Sequence, residues 1–202
     1  MKNLFKVFGL IALIAVVGFA MTACGGGGGG YKKSGLSTDG FFGAIPALYA
    51  DYYLADNVIR EKYKAAKEKA EQKRDIKAYQ KAEDTFSAEL DKISSKLETD
   101  VAAEWAKLAG KDVPFTTSAD FREFKINSLK IGEGGEIELS ASDVRKNMMG
   151  VTAYRFNAIA KDGTVIDEFM GYGSTSVPLV ATLRNKPDKY IDFAKIEFYN
   201  AQ

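Results

Sequence analysis

The sequence predicts an α+β chain: a helical segment followed by an antiparallel β-sandwich. Three observations carry that reading. Between Pro46 and Gly110 no glycine or proline occurs, and Ala, Lys, Glu and Leu, all good helix formers, dominate. After Pro114 the apolar residues change from helical spacing to alternation, the period of a half-buried strand. Turn-forming residues then recur between short apolar runs down to the C-terminus.

The helical segment is assigned to residues 44–112. Pro46 suits a first helical turn, Gly110 a left-handed cap, and Pro114 lies just beyond. Its second half carries one clear apolar face: Phe86, Leu90, Ile93, Leu97, Val101, Trp105 and Leu108, at steps of three and four. The first half, with Tyr49, Tyr52, Ile59, Tyr63, Ala66 and Ala70, is a weaker stripe. Residues 60–81 hold nine Lys/Arg and four Asp/Glu; residues 83–104 hold two Lys and seven Asp/Glu. A hairpin turning near Arg74-Asp75 would set these halves, +5 and −5, side by side. It would place Tyr52 and Ile59 opposite Leu97 and Leu90. A single bent helix of about 60 residues, roughly 90 Å long at 1.5 Å per residue, satisfies the same composition. No Gly, Pro or Asn near residue 75 marks a turn.

The strands are expected in residues 113–202. Phe124, Ile126, Leu129 and Ile131 form one, with a bulge; Gly132-Glu133-Gly134-Gly135 turns into Ile137, Leu139 and Ala141. Tyr154, Phe156, Ala158 and Ala160 share a face, and Lys161-Asp162-Gly163 turns into Val165, Ile166 and Phe169. A further strand is read over Val177 to Leu183, and Lys195 to Tyr199 closes the chain. This layout is similar to immunoglobulin-like domains of bacterial envelope proteins, through strand count and spacing and without a Cys…Trp…Cys core.

The N-terminus is organised differently. Lys2 and Lys6 precede an apolar run of 14 residues, Val7 to Ala20, and small residues lead to Cys24. That is the layout of a secretory signal peptide. Met21-Thr22-Ala23-Cys24 resembles the lipobox of bacterial lipoproteins, with Met21 where that family more often has Leu. The resemblance implies removal of residues 1–23 and a diacylglyceryl thioether and acylated amine on Cys24. It makes the membrane a partner and the cell envelope the location. Gly25 stands where an Asp commonly retains such proteins at the inner membrane, so the resemblance points to the outer one. Residues 24–43 then read as a tether, because six consecutive glycines, Gly25 to Gly30, have nothing to bury.

Composition narrows the chemistry. Net charge is +1, which offers no basic field for nucleic acid. Histidine is absent, removing the commonest general base and metal ligand, and Cys24 is the sole cysteine, so no intramolecular disulfide forms. No enzymatic activity and no cofactor or metal is expected. The carboxylates Asp162, Asp167 and Glu168 sit at a turn without the spacing of a calcium loop. Asp51, Asp56 and Glu61, and Asp91 with Glu98, read as a solvated helix surface. Ser140, Ser142 and Lys146 lack the S-x-x-K spacing. Tyr49, Tyr52 and Tyr53, preceded by Phe41-Phe42, are the candidate binding residues, since aromatic platforms stack sugars and mark interfaces. Met148-Met149 is a smaller apolar candidate. The expectation is an envelope lipoprotein acting as a structural or interaction module with an envelope protein partner; a small-ligand or glycan-binding lipoprotein is the alternative.

Overall fold

The computed structural model describes residues 31–144, 153–172, 176–177 and 179–199. The chain is α+β: a helical hairpin followed by two sheets. Cys24, the signal segment, the glycine run, Lys146, Met148 and Met149 lie outside the described residues.

Helix α1 spans Ile45–Gln72 and α2 spans Ile76–Leu108. The three residues between them reverse the chain without glycine. Arg74 takes the left-handed conformation at φ 52°, and the Asp75 carboxylate accepts a hydrogen bond from the Ala78 amide at 2.9 Å. Asp75 is thus the N-cap that starts α2. The two helices pair in the register their apolar faces demand. Tyr63 stacks on Phe86 at 4.4 Å, and the Tyr52 and Ser94 hydroxyls hydrogen bond at 3.4 Å. Among the described residues the hairpin's ion pairs run along single helices, Asp56–Arg60, Lys96–Asp100 and Glu104–Lys107. Aromatic packing, rather than ion pairing across the seam, therefore fixes the register.

Helix α2 stops where Gly110 adopts φ +78°. The chain then runs beside the first sheet: Gly110 donates to the Ile131 carbonyl at 2.7 Å, and Val113 to that of Leu129 at 2.9 Å. Strands β2 (Lys125–Ile131), β3 (Ile137–Ser142) and β6 (Ser176–Val177) form a three-stranded antiparallel sheet. The expected bulge falls between Ile126 and Ser128. Strands β1 (Phe115–Thr117), β7 (Phe193–Tyr199), β4 (Ala153–Ala160) and β5 (Val165–Tyr172) form the second sheet in that order.

Two expectations are corrected here. The second sheet is mixed, because β1 runs parallel to β7, with Phe115 opposite Ile196. A purely antiparallel arrangement does not describe it. Residues 177–183 do not form one strand: β6 is brief, and Val180–Asn185 is helix α3. The Leu183 amide donates to the Leu179 carbonyl at 3.1 Å, a helical bond four residues back that no strand makes, and both side chains are wholly buried. Pro187–Tyr190 then forms a 3-10 turn.

One apolar core serves both sheets and the base of the hairpin. It gathers Leu129, Ile137 and Val177 from one sheet, Tyr154, Phe156 and Phe198 from the other, and Tyr49, Val101 and Trp105 from the helices. Residues 31–43, which the sequence assigned to the tether, lie against the folded part: Phe42 is 1% exposed and packs on Phe193 at 4.9 Å. Among the described residues no helix is long and apolar enough to cross a membrane.

The turn can be tested by substitution. Asp75→Ala removes the cap and lowers stability by about 1 kcal/mol. Arg74→Gly removes the left-handed penalty and raises it by about 0.5–1 kcal/mol, read from urea midpoints. Opposite signs at adjacent positions are the signature; two losses would refute this turn geometry.

Candidate functional site

Tyr49 and Tyr52 reach a cleft of about 350 Å³ at the base of the hairpin. Helix spacing explains their meeting, because residues three apart fall on one side of α1. Opposite them α2 contributes Leu97, Glu98, Val101 and Trp105; the β2–β3 turn adds Glu133 and Gly134, and α3 adds Val180 and Arg184. Tyr53 does not line the cleft. It packs partly buried against the core, its ring edge-on to Tyr52 at 5.6 Å. The three tyrosines thus divide: two face the cleft and one supports them.

The floor is shaped by a close approach between Trp105 and a glycine. Gly135 has φ +90°, and a Cβ there would lie 2.3 Å from the Trp105 ring. Only glycine satisfies both the backbone and the space. Trp105 is buried, at 3% exposure, and lines the cleft. Burial raises the Tyr49 hydroxyl above its ordinary range, against an opposing pull from Arg184. A neutral phenol near a guanidinium, with Glu98 and Glu133 on the rim, suits a polar ligand with apolar faces better than a purely apolar one.

The remaining candidates are not brought together. Asp51 accepts from the Ser34 amide and Asp56 pairs with Arg60, while Glu61 stays exposed on α1. Asp91 is exposed, whereas Glu98 joins the cleft, so these two do not form a pair. Asp162 closes its own turn, accepting from the Thr164 amide and hydroxyl at 2.9 and 2.7 Å. Those bonds hold its carboxyl below the usual range. Asp167 instead pairs with Lys186 at 2.7 Å and lies 3.0 Å from the Tyr190 hydroxyl. Glu168 is exposed, and no three such groups among the described residues are placed to hold a metal ion. The Ser142 hydroxyl donates to Asn127, and Ser140 lies exposed on β3.

Sequence reasoning missed Glu133, Val180 and Arg184. The four-residue glycine-rich turn was visible, but its contact with Trp105 is long-range. Val180 lay in a segment read as strand, Val177 to Leu183, and Arg184 lay just past its end.

Two measurements probe this region. Gly135→Ala costs about 1–3 kcal/mol through overpacking and shifts Trp105 fluorescence, whereas an unchanged melt would place the ring elsewhere. Tyr190 supplies a pH test. Burial, chiefly, lifts its hydroxyl well above the ordinary value of 10.0, so the folded state favours the neutral phenol. That stability is complete below pH 10.0 and is lost as pH rises beyond it. Tyr154, which burial pushes up to about 12, adds to the same loss. Tyr190→Phe should flatten the alkaline decline measured by denaturant unfolding; an identical pH profile would refute the assignment.

Comparison with protein-family models, curated proteins and solved structures found no match to this chain.

Proposed function

We propose that this chain is a lipoprotein of the bacterial cell envelope, held through lipid on Cys24, that presents a helical arm and a β module as a non-catalytic structural or interaction unit. The observation that carries the reading is how the hairpin is built. The common core takes residues from α1 only as far as Tyr53 and from α2 only from Leu97 onward. Ile59 and Ala70, buried farther out, belong to the seam between the helices and not to that core. The outer part of the hairpin is therefore an arm packed on itself and on residues 31–36. An arm of this kind adds surface without adding to the core, which is what a contact element requires.

Its surface has the composition of a contact element as well. Leu54 and Val58, one turn apart on α1, are 38% and 37% exposed. This pair of neighbouring apolar side chains is the place on the arm where we would place a protein partner. The β module, with side chains of both sheets entering one core, supports a sandwich-like reading. An immunoglobulin-like arrangement is part of this proposal, with a parallel β1–β7 edge that departs from it.

A second reading has its own observation. The cleft under Tyr49 and Tyr52, with Glu98, Glu133 and Arg184 around it, has the size and mixed polarity to hold a small polar ligand or a sugar. In that reading the arm's base is the site and its outer part a spacer.

The experiment has two arms. Wild-type protein is expected in the membrane fraction and Cys24→Ser in the soluble fraction; retention of the variant rules out the lipid anchor. A photo-crosslinking residue at Val58 is expected to give a discrete adduct in intact cells, and one at Val165, exposed on β5, is not. No adduct at Val58 would favour the ligand-binding reading.

A further inference from the structure

The tip of the arm sets an exposed apolar side chain among bases. Ile76, the first residue of α2, is 81% exposed, the most open large apolar side chain among the described residues. Lys73, Arg74 and Lys77 surround it in sequence. Residues 67–81 hold six Lys/Arg against three Asp/Glu, or +3. Loss of residues 1–23 removes two lysines and no acid, so the remaining chain carries 26 bases and 27 acids. The net charge outside the tip is then −4. An isoleucine set among bases at a sharp turn matches an anionic lipid surface: the bases meet the headgroups and the apolar side chain enters the boundary below them.

The path of the chain brings that surface within reach. Tyr31 is fixed partway along the arm, its hydroxyl donating to Glu89 at 3.3 Å and its ring under the Lys62 ammonium at 5.5 Å. Residues 34 and 42 follow the arm back toward its base, where Ser34 donates to Asp51 and Phe42 enters the core. Cys24 is seven residues before Tyr31, and seven residues span at most about 25 Å. From Lys62 to Arg74 is about 18 Å along the helix, inside that reach. The arm's tip is therefore within reach of a bilayer held at Cys24.

We propose that the arm's tip around Ile76 is a second membrane contact that rests on an anionic phospholipid surface. This contact builds on the lipid anchor at Cys24 proposed above and gives it a direction. Multiple acyl chains already retain the protein, and a few bases alone bind too weakly to do so. The tip instead orients the arm, leaving the negatively charged remainder turned away from a surface of its own sign. Salt weakens this contact, because exposed charges are screened within about 8 Å at physiological ionic strength.

The test uses the full lipidated chain reconstituted in phosphatidylcholine vesicles with or without phosphatidylglycerol. Ile76→Cys carries an environment-sensitive fluorophore, and Val165→Cys serves as control. The thioether of Cys24 does not react, so the label marks one position. Protein is expected to float with both vesicles. The label at position 76 is expected to shift blue and to be quenched by a lipid-borne quencher in anionic vesicles, with the effect lost in high salt and in Lys73→Glu/Lys77→Glu. The label at position 165 stays aqueous throughout. Flotation with an aqueous label at position 76 in anionic vesicles overturns the contact. Equal quenching in both vesicles overturns its dependence on anionic lipid. Failure to float with either vesicle, or flotation of Cys24→Ser, overturns the lipid anchor itself and with it the premise of the contact.

Discussion

The packing of Phe42 against the base of the hairpin is the interaction on which the rest depends. Its ring lies 6.0 Å from Trp105 of α2, 6.2 Å from Tyr190 and 4.9 Å from Phe193 of β7. One side chain thus joins the N-terminal segment, the arm and the second sheet. Burying a phenylalanine contributes about 1.5–3 kcal/mol, a sizeable share of a domain's net stability. Beside it Lys111 donates to the Phe41 carbonyl at 2.9 Å, with its ammonium 4.1 Å from the Phe41 ring. The chain entering α1 is held on both sides of the joint before the first helical turn begins.

That joint turns a pair of helices into a rigid arm. A two-helix hairpin alone has a single seam and is marginal in water, because most helical stability comes from packing an apolar face. Here the seam is supported at its base by Trp105 in the pocket that Gly135 leaves, and along one flank by residues 31–36. Burial on α2 falls off outward: Val101 and Trp105 are fully buried, while Leu97, Ile93, Leu90 and Phe86 are only partly so. The same stripe that the spacing identified as one face is therefore two things in the fold, a core contact at the base and a seam farther out.

Much of this was legible from local pattern. The helices, their end at Gly110, the β2–β3 and β4–β5 turns and the pairing of Tyr52 and Ile59 with the α2 stripe all follow from spacing within a few tens of residues. The hairpin turn was placed at Arg74-Asp75 by charge alone, and its chemistry is an aspartate cap beside an arginine in a conformation glycine usually takes. Three features were not legible. The parallel β1–β7 pair joins residues about eighty positions apart, and no local signal records a partner at that distance. Val180–Asn185 is too short for periodicity to separate helix from strand, and its β-branched residues favoured the wrong one. Residues 31–43 follow six glycines and look like more of the same linker, yet Tyr31 and Phe42 bind the fold through contacts with residues far along the chain. Of the tyrosine cluster, sequence could place Tyr49 and Tyr52 together on α1; it could not bring Arg184 and Glu133 to them.

The course of residues 31–43 changes what the glycines can do. Were the tether free to Gly40, Cys24 would swing on seventeen residues from the base of the arm, and the folded part could face the membrane in any direction. Fixing Tyr31 on Glu89 and Lys62 leaves only residues 25–30 between Cys24 and the held chain. Loop entropy depends only weakly on length, so little is gained or lost in that term. What changes is geometry: the held chain begins on the arm, at Tyr31, and not at the core. A lipid on Cys24, as proposed, would then act through Tyr31 on the part of the molecule that the core does not hold.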